Sequence, residues 1–233
     1  MNYDSRNLTI RQPLIRILLA FSLLCLSMVI IRISMTGSMR YAWLLWNLFL
    51  AWLPLFFVML WNKNEAVRKS TIRSSLFMVC WLLFFPNAPY ILTDLFHLIQ
   101  YSPVPLWYDL ILLLSFAWTG LITGFVSLME VQHFFQIKFG KILSWGAALF
   151  ALILGSFGVY LGRYGRFNSW DIIANPFGLA RKIFNMITDP FDHTAMYAMT
   201  FFLSCFLILS YLTLIVLMNH PNYLLKNSTN ELR

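Results

Sequence analysis

The chain has 233 residues, of which 60% are hydrophobic, 18% aromatic and 11% charged, with a mean hydropathy of +0.70. A soluble domain carries about 25% charged residues and roughly half apolar ones, so this composition excludes a soluble protein and leaves no room for a separate soluble domain. In a soluble chain the net charge of +8 would point to nucleic acid; here the basic residues flank apolar runs and read as membrane anchors, with no nucleic-acid partner expected.

At the N-terminus, Arg6, Arg11 and Arg16 accompany the start of an apolar run from Leu14 to Ile33. The run is too long for a signal-peptide core, and Ser34-Met35-Thr36-Gly37 is a poor cleavage site, so an uncleaved first helix is expected. Six runs reach the ~20 helical residues that cross roughly 30 Å of hydrocarbon: 14–33, 41–61, 72–92, 104–128, 142–161 and 195–218. The sequence therefore predicts an all-α integral membrane helix bundle of about six transmembrane helices, its third span broken at Pro86 and Pro89. Residues 1–13 and 219–233 are tails, and 14–218 form one membrane domain with a connector at 162–193. Cys25, Cys80 and Cys205 lie inside apolar runs and read as packing residues.

The third span is the least regular. After Pro89 a restarted helix capped by Asn87 would put Asn87, Tyr90, Asp94, His97 and Tyr101 on one face, and Ile91, Leu92, Leu95, Leu98 and Ile99 on the other. The segment is either a kinked continuation of the span or a separate interfacial helix.

Spans four and five carry small residues at helical spacing: Ala117, Gly120, Gly124 and Ser127 in one, Ala151, Gly155, Gly158 and Gly162 in the other. Such faces let helices approach closely in lipid, so the two spans are expected to pack on each other or on a close neighbour, the alternative being an oligomer interface. The connector 162–193 holds Arg163, Arg166, Asn168, Trp170 and Asp171, then an amphipathic stretch around Phe177 to Ile187.

Basic residues set the expected orientation. With the N-terminus cytoplasmic, eleven lysines and arginines fall on the inner side and six on the outer, which places both termini in the cytoplasm. Asn47, Asp94, His97, Asp109 and the segment 163–171 then converge toward the outer leaflet. Ionisable groups at membrane depth are costly and normally face protein or water, so these residues form a candidate site.

Each has a plainer reading. Asp109 suits a helix N-terminus, Asn168 through Asp171 fits a capping pattern, and so do Asp189 and Asp192. Arg163 and Arg166 suit snorkelling beside Tyr160, Tyr164 and Trp170, and Asp94 with His97 suits a solvated face of an interfacial helix. The functional readings differ in kind. Asp94 and His97 could ligate a divalent metal, completed by Asp109, Asp171 or His193, or act with Asp109 in acid–base catalysis, which would make the protein a metal-dependent membrane-embedded hydrolase or transferase. Asn47, Asn87, Tyr90, Arg163, Arg166, Asn168, Trp170 and Asp171 could instead bind a small anionic or lipid-linked ligand. A non-catalytic subunit of a membrane complex is the third alternative.

Pro86-Asn87-Ala88-Pro89-Tyr90, Thr93-Asp94-Leu95 and His97, with Gly162-Arg163, Arg166 and Asn168-Ser169-Trp170-Asp171, form a recurring pattern. Trp46-Asn47-Leu48 and Pro54 accompany it. Over roughly residues 40 to 215 the chain resembles an uncharacterised family of bacterial multi-pass membrane proteins, defined as a domain of unknown function. The resemblance implies a bacterial cytoplasmic membrane location and no activity.

Overall fold

The computed structural model describes residues 5–65, 67, 70–98, 103–165, 176–188 and 192–230. Among them the fold is all-α: α1 (Ser5–Thr36), α2 (Trp43–Lys63), α3 (Thr71–Phe84), α4 (Asn87–Tyr90), a 3-10 helix (Ile91–His97), α5 (Leu106–Phe139), α6 (Lys141–Arg163), α7 (Pro176–Thr188) and α8 (Thr194–Asn230). Six helical segments are long and apolar enough to cross a bilayer, at 12–36, 43–63, 71–97, 106–139, 141–163 and 194–218. The protein is a multi-pass membrane helix bundle, as its sequence predicts.

Helix α5 is the axis of the bundle. Its apolar window is 72% buried, against at most 39% for any other span, and α1, α2, α6 and the broken third span all pack on it. Buried hydroxyls along α5 turn inward on its own backbone: Ser115, Thr119, Thr123 and Ser127 each donate to a carbonyl three or four residues earlier. With their hydrogens satisfied locally, these polar positions can be buried without desolvation cost. Gly140, at φ +86°, reverses the chain between α5 and α6 in a conformation that favours glycine.

The break in the third span follows from its two prolines. Neither Pro86 nor Pro89 has an N–H to continue the α-helical ladder. The Ala88 N–H bonds to the Phe85 carbonyl (3.1 Å) instead of continuing the ladder to Phe84, and the Asn87 side-chain amide donates to the Phe84 carbonyl (2.9 Å). Asn87 thus serves the end of α3 with its side chain and is the first residue of α4, with Pro86 at the cap position. This corrects the expected cap.

The small-residue faces close on the broken segment. A Cβ on Gly120 would lie 2.8 Å from Ile91 Cδ1, one on Gly124 2.6 Å from Ala88 Cβ, one on Gly155 3.0 Å from Phe85, and one on Gly158 2.7 Å from Pro86. Two helices therefore shed side chains so that residues 85–91 can wedge between them. The close neighbour is the chain's own third span. An oligomer through these four glycines would have to open that contact.

At the end opposite Asp94 the packing is aromatic and polar, with Trp61 edge-on to Phe134, Tyr211 donating to Gln132 (2.6 Å) and the Asn62 amide donating to the Glu130 carboxylate (3.1 Å). The free thiols are packing residues, Cys25 buried 3.8 Å from the Thr119 hydroxyl. Helix α7 lies where the sequence predicts an amphipathic stretch: Phe177 and Phe184 are exposed, while Met186 is buried in a cluster with Tyr160 and Met196.

Candidate functional site

The 3-10 helix sorts the site residues. At three residues per turn, positions i and i+3 eclipse, so residues 91 to 97 with Tyr90 form three rows. One row carries Ile91, Asp94 and His97, the next Tyr90, Thr93 and Phe96, and the third Leu92, Leu95 and Leu98. The expected α-helical face is thereby redrawn: Asp94 and His97 stay together, Thr93 joins them, and Ile91 moves from the apolar side to pack on Gly120. Tyr101 and Ile99 lie outside the described residues.

Arg163, at the last position of α6, meets both polar-bearing rows. Its Nε donates to Thr93 Oγ1 (3.0 Å), its Nη2 to Asp94 Oδ1 (2.8 Å), and its Nη1 lies 2.9 Å from His97 Nε2. The guanidinium stands over the Tyr90 ring at 4.9 Å. Asp94 Oδ2 accepts from the Asn47 amide (3.0 Å), so one carboxylate is held from α2 and α6 at once. The register comes from the glycines: Gly155 and Gly158 seat α6 on Phe85 and Pro86, and the next turn of α6 carries Arg163 alongside the 3-10 helix.

A guanidinium only donates hydrogen bonds. His97 Nε2 must therefore accept from Arg163, which fixes a neutral ring with its proton on Nδ1. The ring is edge-on to Trp43 (centroids 5.1 Å apart), and its backbone carbonyl accepts from Tyr41 Oη (2.9 Å). Burial pushes the Tyr41 phenol above its ordinary range, which keeps that donor protonated.

Asp109 belongs to a second ion pair. Arg32, near the end of α1, grips it bidentately, Nε to Oδ1 at 2.7 Å and Nη2 to Oδ2 at 3.2 Å. The Arg32 guanidinium also lies 4.5 Å over the Tyr41 ring, so Tyr41 touches both clusters. Asp109 pairs with Arg32 and not with Arg163, which revises its expected place beside Asp94. The exposures separate the two pairs: the Arg32 and Asp109 side chains are 2% and 0% exposed, whereas Asp94 is 0% exposed and Arg163 14%. One pair is sealed. The other has a cation at its rim.

Of the residues singled out in the sequence, Asn47, Tyr90, Asp94, His97 and Arg163 come together, and Asn87 lies one turn away in α4. Arg166, Asn168, Trp170 and Asp171 lie outside the described residues. A metal held by Asp94 Oδ1 and His97 Nε2 would have to displace the guanidinium that now binds both atoms. Among the described residues no three His, Cys, Asp or Glu side chains gather as a metal site. Arg32, Tyr41, Trp43 and Thr93 are not among the site residues expected from the sequence. Thr93 lies inside the Thr93-Asp94-Leu95 pattern, and Arg32 carries a signal as a charge inside an apolar run that must find a partner.

The family model described as a protein of unknown function (DUF1361) matches residues 46–210, a stretch that contains Asn47, Asp94, His97, Asp109 and Arg163. Comparison with curated proteins and with solved structures gives no match.

Proposed function

The chain belongs to the DUF1361 family, which brings no activity with it, and from the geometry we propose that the Arg163 cluster is a binding site for a small anionic group, with recognition or translocation of that ligand as its purpose. The observation that carries this reading is the guanidinium at the rim. Of its five N–H donors, three engage Thr93, Asp94 and His97, and the other two meet no partner among the described residues and can serve a ligand oxygen pair. Asp94 and Asn47 hold the fork in place from beneath, and the Tyr90 ring supports its face. With His97 neutral, the carboxylate and guanidinium sum to zero. A proton taken up at His97 Nε2 would end its bond to Arg163 and leave the site one positive charge richer, so anion binding and proton uptake would favour each other.

The site end is read as extracytoplasmic and the membrane as a bacterial plasma membrane, from the bias of basic residues toward the other end. Arg166, three residues past Arg163 in sequence and outside the described residues, is the proposed second cation.

Glycerol 3-phosphate is a suitable probe, since it has a phosphate and no hydrocarbon chain. Isothermal titration of the detergent-purified protein is expected to show saturable binding that Arg163→Gln removes. His97→Gln, which removes the nitrogen that takes the proton, should retain binding while abolishing proton-coupled uptake in proteoliposomes. Saturable binding left intact by Arg163→Gln sinks the anion reading, and unchanged coupled uptake in His97→Gln sinks the coupling.

A further inference from the structure

The third row of the 3-10 helix, Leu92 and Leu95, turns away from Arg163 and forms one end of an apolar groove of about 750 Å³. The groove runs between α5 and α8, past Trp118 and Phe125 on one wall and Leu209 and Leu214 on the other. From Ile111 to Phe125 it follows α5 for about 21 Å at 1.5 Å per residue. That compares with roughly 30 Å for the whole hydrocarbon core. The groove therefore begins at Leu92 and Leu95, on either side of Asp94 in sequence, and follows α5 for about two-thirds of that depth.

Two occupants are conceivable for an apolar groove inside a bilayer: another helix or a hydrocarbon chain. Helices associate in lipid through small residues and interhelical hydrogen bonds. The small-residue faces of this bundle are already closed on residues 85–91, and the groove walls are lined with large branched and aromatic side chains. Two of its three hydroxyls are turned to their own helices, Ser115 donating to the Ile111 carbonyl and Thr213 to that of Leu209. That leaves Ser210 as the one lining hydroxyl to bond a neighbouring helix, a slender basis for helix association. A flexible chain, in contrast, needs only apolar surface and gains from each methylene it buries.

We propose that the groove holds an acyl chain of an anionic lipid whose charged head group is the group bound at Arg163. This rests on the anion-site reading and names its ligand class: an amphiphile with head and tail on opposite sides of the 3-10 helix. The head meets the rows of Thr93 and Asp94, and the tail meets the row of Leu92 and Leu95.

The test separates head from tail. Native mass spectrometry of the full chain in a neutral detergent, with dioleoyl phosphatidic acid added, is expected to show one retained lipid per chain. Dioleoylglycerol, which lacks the charge, should be retained at least about tenfold less. Ser210→Phe, which fills the groove far from Arg163, should reduce phosphatidic acid retention by about tenfold and leave glycerol 3-phosphate titration unchanged. Thr213→Phe serves the same purpose if Ser210→Phe fails to fold. Wild-type retention in a folded groove-filling variant overturns the tail site while the head site stands. Loss of phosphatidic acid and glycerol 3-phosphate binding together in a folded groove variant also overturns it. A second protein chain retained in place of lipid, and released by Ser210→Phe, identifies the groove as a helix interface instead. If glycerol 3-phosphate and phosphatidic acid both fail to bind wild type, the anion reading fails first and this one with it.

Discussion

Two arginine–aspartate pairs stand at the same end of the bundle, and their burial assigns them different work. Arg32 and Asp109 are sealed from solvent, so their mutual attraction must offset the removal of two charges from water. Deleting one partner of such a pair strands the other and costs about 3–5 kcal/mol, while replacing both with apolar residues is often neutral. Asp109→Ala is therefore expected to lower stability by that amount, and Arg32→Met with Asp109→Leu to recover most of it, read as thermal unfolding in detergent. The double variant should also keep glycerol 3-phosphate binding, since neither residue touches the Arg163 fork. A single Asp109→Ala that melts with wild type would show that the pair contributes little. For Arg163 and Asp94 the same apolar replacement should preserve the fold and lose the ligand.

At the scale of elements, the broken third span is explained by glycines on two other helices. The Gly124 contact can be isolated because Gly124 and Ala88 form a simple pair, with the added Cβ only 2.6 Å from the Ala88 methyl. Gly124→Ala should cost about 1–3 kcal/mol by overpacking, and Ala88→Gly in the same chain should relieve it, a coupling a double-mutant cycle measures. Gly146, with nothing within 4 Å of its added Cβ, is the control: Gly146→Ala should be neutral or stabilising by about 0.5–1 kcal/mol through helix propensity. Equal losses at 124 and 146 would mean the wedge is not tight. The prolines and the small-residue faces were both legible in the sequence; their fit to each other was not, because spacing shows a face and never its partner. For the same reason the sequence does not reveal the period after Pro89, which is that of a 3-10 helix. Asp94 and His97, three apart, fit an α-helix and a 3-10 helix equally well, and only Thr93 and Ile91 tell the two apart. The six spans were readable because hydropathy is a local property, whereas the Arg163 contacts cross some seventy residues.

For the molecule as a whole, the ion pairs sharpen the argument from charge. The sequence sets eleven cationic residues at one end and six at the other. Arg32 and Arg163 are each neutralised by a buried carboxylate, so they are poor witnesses to orientation. Setting them aside leaves Arg40, Arg166, Arg181 and Lys182 against eleven. Two of the six residues that weaken the bias, Arg32 and Arg163, are thus held at that end by Asp109 and Asp94 and not by the topology signal. Six crossings would put both termini on one side, and we propose from the remaining bias that this side is cytoplasmic. Ser38, exposed between α1 and α2, and Gln136, exposed near the end of α5, sit at opposite ends of the bundle. In intact cells a membrane-impermeant maleimide should label Ser38→Cys at once and Gln136→Cys only after permeabilisation. The native thiols lie within membrane-spanning helices and should stay silent. The reverse pattern would turn the Arg163 rim toward the cytoplasm, where the same anion site would meet inner-leaflet lipids and cytosolic metabolites. The geometry of the site would survive that result, but its direction of access would be inverted.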